Sequence, residues 1–258
     1  MFNPFEFIKS FVYKRYISRY DYGNEINTLI PKLKGHTMST PIDIATLYEL
    51  CIHLNANNID GSFVECGVWK GGSAAVMASA NLNSGKGDRI IELFDLFDDI
   101  IAPDPHLDGE KAVKDINRLL KKKGKSLMDY PENNVPLSGV YDEFGGAGSI
   151  KVVENLLCEK LKYDRENIVF NVGLFENTVP KNNIEKIALL RLDGDWYNSI
   201  KICLDHLYDK VVPNGVIIID DYWTYEGCKK AVDEFFEQRG LKYFKSYSRP
   251  QTRYFFKS

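Results

Sequence analysis

The chain has 258 residues, 44% of them hydrophobic and 13% aromatic, with a formal net charge of −3. That is enough apolar material for one α/β domain with additions, and the acidic balance excludes nucleic acid as the main partner. The five cysteines, Cys51, Cys66, Cys158, Cys203 and Cys228, contain no C-x-x-C pair. Neither a disulfide framework nor a zinc site is expected, and a reducing cytoplasm is the natural setting.

Residues 1–36 read as a helical extension, aromatic and basic from Met1 to Tyr16. Its apolar face suits a cover for the active site, a subunit contact in a homo-oligomer, or weak contact with a membrane surface. Residues 37–258 read as one domain. A helix starts at Ser39-Thr40-Pro41, a hydroxyl cap followed by proline in the first turn, and runs through Leu47, Leu50, Cys51 and Leu54. A strand over 62–66, a glycine turn over 67–72 and a small-residue helix over 73–82 follow, then a strand over 89–95. Helices are expected over 110–123 and 149–162, and strands over 167–172 and 184–193. A helix over 197–210 stops at Pro213-Asn214-Gly215, ahead of a strand over 216–219. After a helix over 226–239, arms over 241–247 and 253–257 read as a hairpin. Residues 100–148 hold only one expected helix, too much loop for a passive connection, and are expected to form a substrate-side lid.

Strands alternating with helices and closed by a hairpin describe a doubly wound, mostly parallel α/β sheet with a C-terminal antiparallel addition. The apolar runs at 184–192 and 216–219 end in acids: Asp193 and Asp195 after the first, Asp220 and Asp221 after the second. Ligands bind at the carboxyl ends of such strands. If the two runs are neighbours, their ends lie ~5 Å apart. Carboxylates crowded there repel and take up protons unless a hard cation such as Mg²⁺ lies among them. Capping of the next helices is the plainer alternative, but a cap needs one acid and here there are two pairs.

Phe63-Val64-Glu65-Cys66-Gly67-Val68-Trp69-Lys70-Gly71-Gly72-Ser73 reads as strand, glycine turn and helix start. It lacks both the G-K-[ST] ending of a Walker A loop and the G-x-G-x-x-G of a dinucleotide loop. Glu65 suits a ligand with a positive charge or an amine, and Asp95 stands where an acid receives ribose hydroxyls.

With Gly173-Leu174-Phe175-Glu176-Asn177-Thr178-Val179-Pro180, Leu190-Arg191-Leu192-Asp193-Gly194-Asp195-Trp196-Tyr197 and Asp220-Asp221-Tyr222 in order, the chain resembles the macrocin O-methyltransferase family. These are sugar O-methyltransferases dependent on S-adenosylmethionine and a metal. The resemblance implies a seven-stranded sheet of the class I methyltransferase type and a sugar-containing small-molecule substrate. It implies Mg²⁺ on Asp193, Asp220 and Asp221, with Asp195 as general base. It also implies a cofactor site of Glu65, Gly67, Trp69, Gly71, Gly72, Ser73, Asp95, Gly173, Phe175 and Asp193. Asp195 follows Asp193 by two residues, so an extended backbone would carry it ~7 Å further on the same side, past the metal and toward the substrate. His106, in the expected lid, is the rival base; His36, His53 and His206 read as structural. Trp69, Trp196 and Trp223 each adjoin a site block and are candidates for the pocket wall. A nicotinamide-dependent oxidoreductase and a non-catalytic glycan-associated module are the competing readings. The first is opposed by the missing dinucleotide loop, the second by retention of all four acids.

Overall fold

The computed structural model describes residues 21–130 and 135–258. Six strands hydrogen-bond in the order β3-β2-β1-β4-β5-β6. They are β1 (Ser62–Cys66), β2 (Ile91–Asp95), β3 (Ile168–Val172), β4 (Ile187–Leu192), β5 (Val211–Ile219) and β6 (Arg253–Phe256). All pairings are parallel except β5 with β6. Every residue of β4 is buried, as expected for a central strand covered on both faces.

Side chains alternate between two apolar layers. Phe63, Leu189 and Ile218 point to the layer under helices α1 (Asn24–Lys32), α2 (Pro41–Ala56) and α3 (Gly72–Asn83). Val64, Leu190 and Ile217 point to the opposite layer, under α7 (Tyr197–Leu207) and α8 (Glu226–Gln238). The start of α2 is a reciprocal capping box between Thr40 and Asp43 with Pro41 in the first turn. In α1, Ile26, Leu29 and Ile30 are buried, so this part of the N-terminal extension belongs to the core. The expected covering, subunit-contact and membrane roles rest on residues 1–20, outside the described residues. No helix among the described residues is long and apolar enough to cross a membrane.

The expected seventh strand is absent among the described residues. Residues 241–247 meet β6 through one bridge, Ser246 with Tyr254. Side-chain packing holds this segment instead: Tyr243 stacks on Phe255 at 4.9 Å and meets Phe236 edge-on. The expected lid carries α4 (Gly109–Lys121), followed later in the chain by two short helices, α5 (Ile150–Glu154) and α6 (Phe175–Thr178). Ala112, Ile116 and Leu120 on α4 form a small core with Leu137, Val140 and Trp196. The Trp196 indole N–H donates to the Ile101 carbonyl at 3.1 Å, and Asp108 accepts the Tyr197 amide at 2.6 Å. The insertion is thus docked on the start of α7.

Candidate active site

Strand order reverses between β1 and β4, and a cavity of roughly 340 Å³ opens at their carboxyl ends. Each strand end is tied to the next: Gly67 N–H to Phe94 O at 2.9 Å, Asp193 N–H to Cys66 O at 2.8 Å, Asp220 N–H to Leu192 O at 2.9 Å. Leu192 pairs in register with Ile219, so Asp193 and Asp220 leave the sheet side by side. Of the residues expected at the site, Glu65, Gly67, Trp69, Gly72, Ser73, Asp95, Gly173, Phe175, Asp193, Asp195, Asp220 and Asp221 line this cavity. Gly71 lies behind the wall, and His106 is exposed, its backbone amide bonded to Asp104. The rival base therefore does not line this cavity. Trp196 lines the cavity with Trp69, whereas Trp223 lies outside it, half-exposed.

The acids are grouped differently from the expectation. Asp193, Asp195 and Asp221 bring carboxylate oxygens within 4.8 Å of one another. Asp195 does not continue an extended strand: β4 ends at Leu192, and Asp195 adopts a left-handed φ of 56° that turns its carboxyl back toward Asp193. Asp220, expected with the metal ligands, is held by arginines, Arg191 at 3.1 Å and Arg249 at 2.8 Å, and accepts from Thr252 at 3.2 Å.

Burial and mutual repulsion dominate the electrostatics. Burial pushes Asp195 up to about 7, with the Asp193 charge adding to it and a hydrogen bond with Asp221 opposing it. Asp221 is raised well above the usual carboxylate range by burial and by the neighbouring Asp195 and Asp220 charges. Asp193 is also raised by burial, against the pull of Arg191. Close hard oxygen donors that must otherwise hold protons fit Mg²⁺.

Glu65, 1% exposed, accepts from Arg191 Nη1 on Oε1 at 2.9 Å, while its Oε2 has no partner among the described residues. Burial raises it to about 8 despite that arginine. An ammonium or amide donor from a ligand would satisfy the orphaned oxygen, which fits the amino acid end of S-adenosylmethionine. Asp95 is engaged locally, accepting from Val68, Phe97 and Trp69 amides at 2.5, 2.5 and 3.0 Å. Burial nevertheless raises its pKa. Packing by itself requires two of the glycines. A Cβ on Gly67, at φ +92°, would lie 1.9 Å from the Asp193 carbonyl oxygen, and one on Gly72 2.4 Å from Thr37 Cβ. They let backbone pack on backbone.

Sequence reasoning gave no role to Arg191, Arg249, Tyr141 or Tyr225, all at the site. Arg191 had a usable signal: a lone cation inside a buried apolar run must be paired. Tyr141, Tyr225 and Arg249 come from loops whose sequences carry no periodicity. Tyr141 packs against Trp69 at 6.2 Å and Tyr225 against Trp196 at 5.1 Å, forming aromatic walls around Asp195.

The model of the family described as Macrocin-O-methyltransferase (TylF) matches residues 18–135 and 147–244. Demethyldecarbamoylnovobiocin O-methyltransferase of Streptomyces niveus is 30% identical over 202 residues, 78% of this chain and 68% of that protein. Mycinamicin III 3''-O-methyltransferase of Micromonospora griseorubida is 28% identical over 211 residues, 80% of this chain and 72% of that protein. Among solved structures, the O-methyltransferase NovP superposes with a TM-score of 0.68 at 27% identity, covering 86% of this chain and 82% of that one. The chain belongs to the macrocin O-methyltransferase family and is an S-adenosylmethionine-dependent O-methyltransferase.

Proposed function

We propose that the enzyme methylates a sugar hydroxyl and uses Mg²⁺ held by Asp193 and Asp221. The observation that carries this is the convergence of Asp193, Asp195 and Asp221 within 4.8 Å at the strand-order reversal, in the same cavity as the orphaned Glu65 oxygen. The rhamnosyl group in the name of a 29% identical relative from Streptomyces olivaceus supports a sugar as acceptor. When bound, the cofactor supplies an electrophilic methyl group and the ion a Lewis acid that makes a neighbouring hydroxyl more acidic.

The chain's own residues do the rest. Glu65 and the 67–73 turn hold the amino acid end of the cofactor, with Asp95 and Gly173 beside them. Asp195, turned inward by its left-handed backbone, takes the proton from the hydroxyl that is methylated. Its elevated pKa, about 7, suits a base working near neutral pH. Arg191 balances Glu65, Asp193 and Asp220 from below, and Trp69, Tyr141, Trp196 and Tyr225 exclude water around the reacting oxygen. Family membership sets the oxidoreductase and the non-catalytic module aside.

The test is methyl transfer from radiolabelled S-adenosylmethionine to simple glycosides, with EDTA and with Mg²⁺. Transfer that stops in EDTA and returns with Mg²⁺ supports the reading. Full transfer in a metal-free preparation removes the ion from the reaction.

A further inference from the structure

Beyond the acidic cavity floor, the charge changes sign. In the loop ahead of β6, Arg249 faces the cavity and binds Asp220, and Arg253, the first residue of β6, donates back to the Arg249 carbonyl at 3.5 Å. Arg253 is held between two aromatic rings, 5.8 Å from Trp223 and 5.3 Å from Tyr247. Its Nη1 donates to the Pro250 and Thr252 carbonyls at 2.8 and 2.9 Å, while Nε and Nη2 have no partner among the described residues. Lys245 lies over Tyr222 at 5.5 Å and Phe236 at 4.9 Å, with no ion pair or hydrogen bond among the described residues. Lys229 adds a third cation over Trp223 at 5.2 Å, but Asp233 already neutralises it. Trp223, Tyr247 and Phe244 are 54%, 66% and 88% exposed.

Arg253 and Lys245 thus carry positive charge that no carboxylate among the described residues pairs with, beside residues that adjoin the acidic cavity: Arg253 donates to the Arg249 carbonyl, and Lys245 lies over Tyr222, next to Asp221. Packing between rings and backbone carbonyls pre-orients the Arg253 fork, so little entropy is lost when it binds an anion. Trp223 follows Asp221 by two residues within a turn, so its backbone lies at most ~7 Å from that of the acid. We propose that Arg253, set by Trp223 and Tyr247, and Lys245, set by Tyr222 and Phe236, bind a diphosphate group on the substrate. The enzyme then methylates a sugar still attached to a diphosphate carrier, and the exposed rings meet the carrier's base or hydrocarbon. This rests on the cavity being the sugar site.

The experiment is calorimetric titration of the full chain with inorganic pyrophosphate, uridine diphosphate and farnesyl diphosphate, in EDTA so that no metal bridges the anions. S-adenosylhomocysteine is titrated in parallel. Uridine diphosphate or farnesyl diphosphate should bind more tightly than pyrophosphate, and whichever is tighter identifies a nucleotide or a lipid carrier. Affinity should fall at least about tenfold in Arg253→Ala and in Lys245→Glu. Lys245→Glu breaks no hydrogen bond and so guards against a folding defect in the other variant. S-adenosylhomocysteine affinity should be unchanged in both. Binding of none of the three anions, binding of pyrophosphate alone, or affinities that neither variant alters would overturn the diphosphate site. Failure of S-adenosylhomocysteine to bind the unaltered chain would instead overturn the transferase site.

Discussion

Arg191 and Glu65 face each other in register across β4 and β1 and form a buried ion pair of 2.9 Å beneath the cavity. The same guanidinium reaches Asp193 at 2.7 Å and Asp220 at 3.1 Å, so one cation holds three acids from neighbouring strand ends. Arg191→Met should therefore cost about 3–5 kcal/mol at pH 8, because buried carboxylates lose their counter-charge. The cost should be smaller at pH 5, where those carboxylates can take up protons. Urea unfolding at the two pH values measures it, and equal losses would contradict the assignment.

Glu65 predicts a pH dependence of the ligand-free protein. Its carboxyl is raised from 4.5 to about 8 on folding, chiefly by burial. The folded state therefore binds more protons than the unfolded state between these values, and stability falls as pH rises through that window. Glu65→Gln is neutral at every pH and keeps a hydrogen bond to Arg191. Its melting temperature should decline less steeply from pH 5 to pH 8 than that of the unaltered protein. Parallel profiles would show that Glu65 is ionised throughout.

Asp193 and Asp195 should separate in kinetics. Asp195→Asn removes the base and should lower kcat by ~10²–10⁴-fold with cofactor affinity nearly intact and Mg²⁺ affinity reduced far less than in Asp193→Asn. Asp193→Asn should weaken Mg²⁺ binding and recover part of its activity at high Mg²⁺. Asp220→Asn distinguishes a third ligand from a partner of the arginines. With Asp220 tied to Arg191 and Arg249, the Mg²⁺ requirement should stay nearly unchanged while the protein loses stability.

Gly67→Ala places a Cβ against the Asp193 carbonyl and forces a side chain into a φ of +92°. The variant should lose at least about 2 kcal/mol of stability as well as cofactor binding. Chemical denaturation read beside S-adenosylhomocysteine binding checks this. A fully stable variant that fails only to bind would return Gly67 to the cofactor cradle.

The sequence alone determined the alternation of strands and helices, because burial on both sheet faces writes itself as short apolar runs such as 187–192 and 216–219. It also placed acids at the ends of those runs and glycines in the 67–72 turn, since the local chain decides where a strand stops. What each acid does there was decided by tertiary structure. The left-handed turn at Asp195 swings its carboxyl into the cluster with Asp193 and Asp221, whereas an extended chain would carry it past. Arg249 captures Asp220 from a loop 29 residues later in the chain, a pairing that no local pattern encodes. The lost hairpin arm has the same origin. Residues 241–247 have strand-like alternation, yet aromatic packing on Phe236 and Phe255 holds them with a single bridge to β6. Side-chain periodicity reports which face of an element is buried; which distant charge or ring meets that face depends on the three-dimensional path of the whole chain.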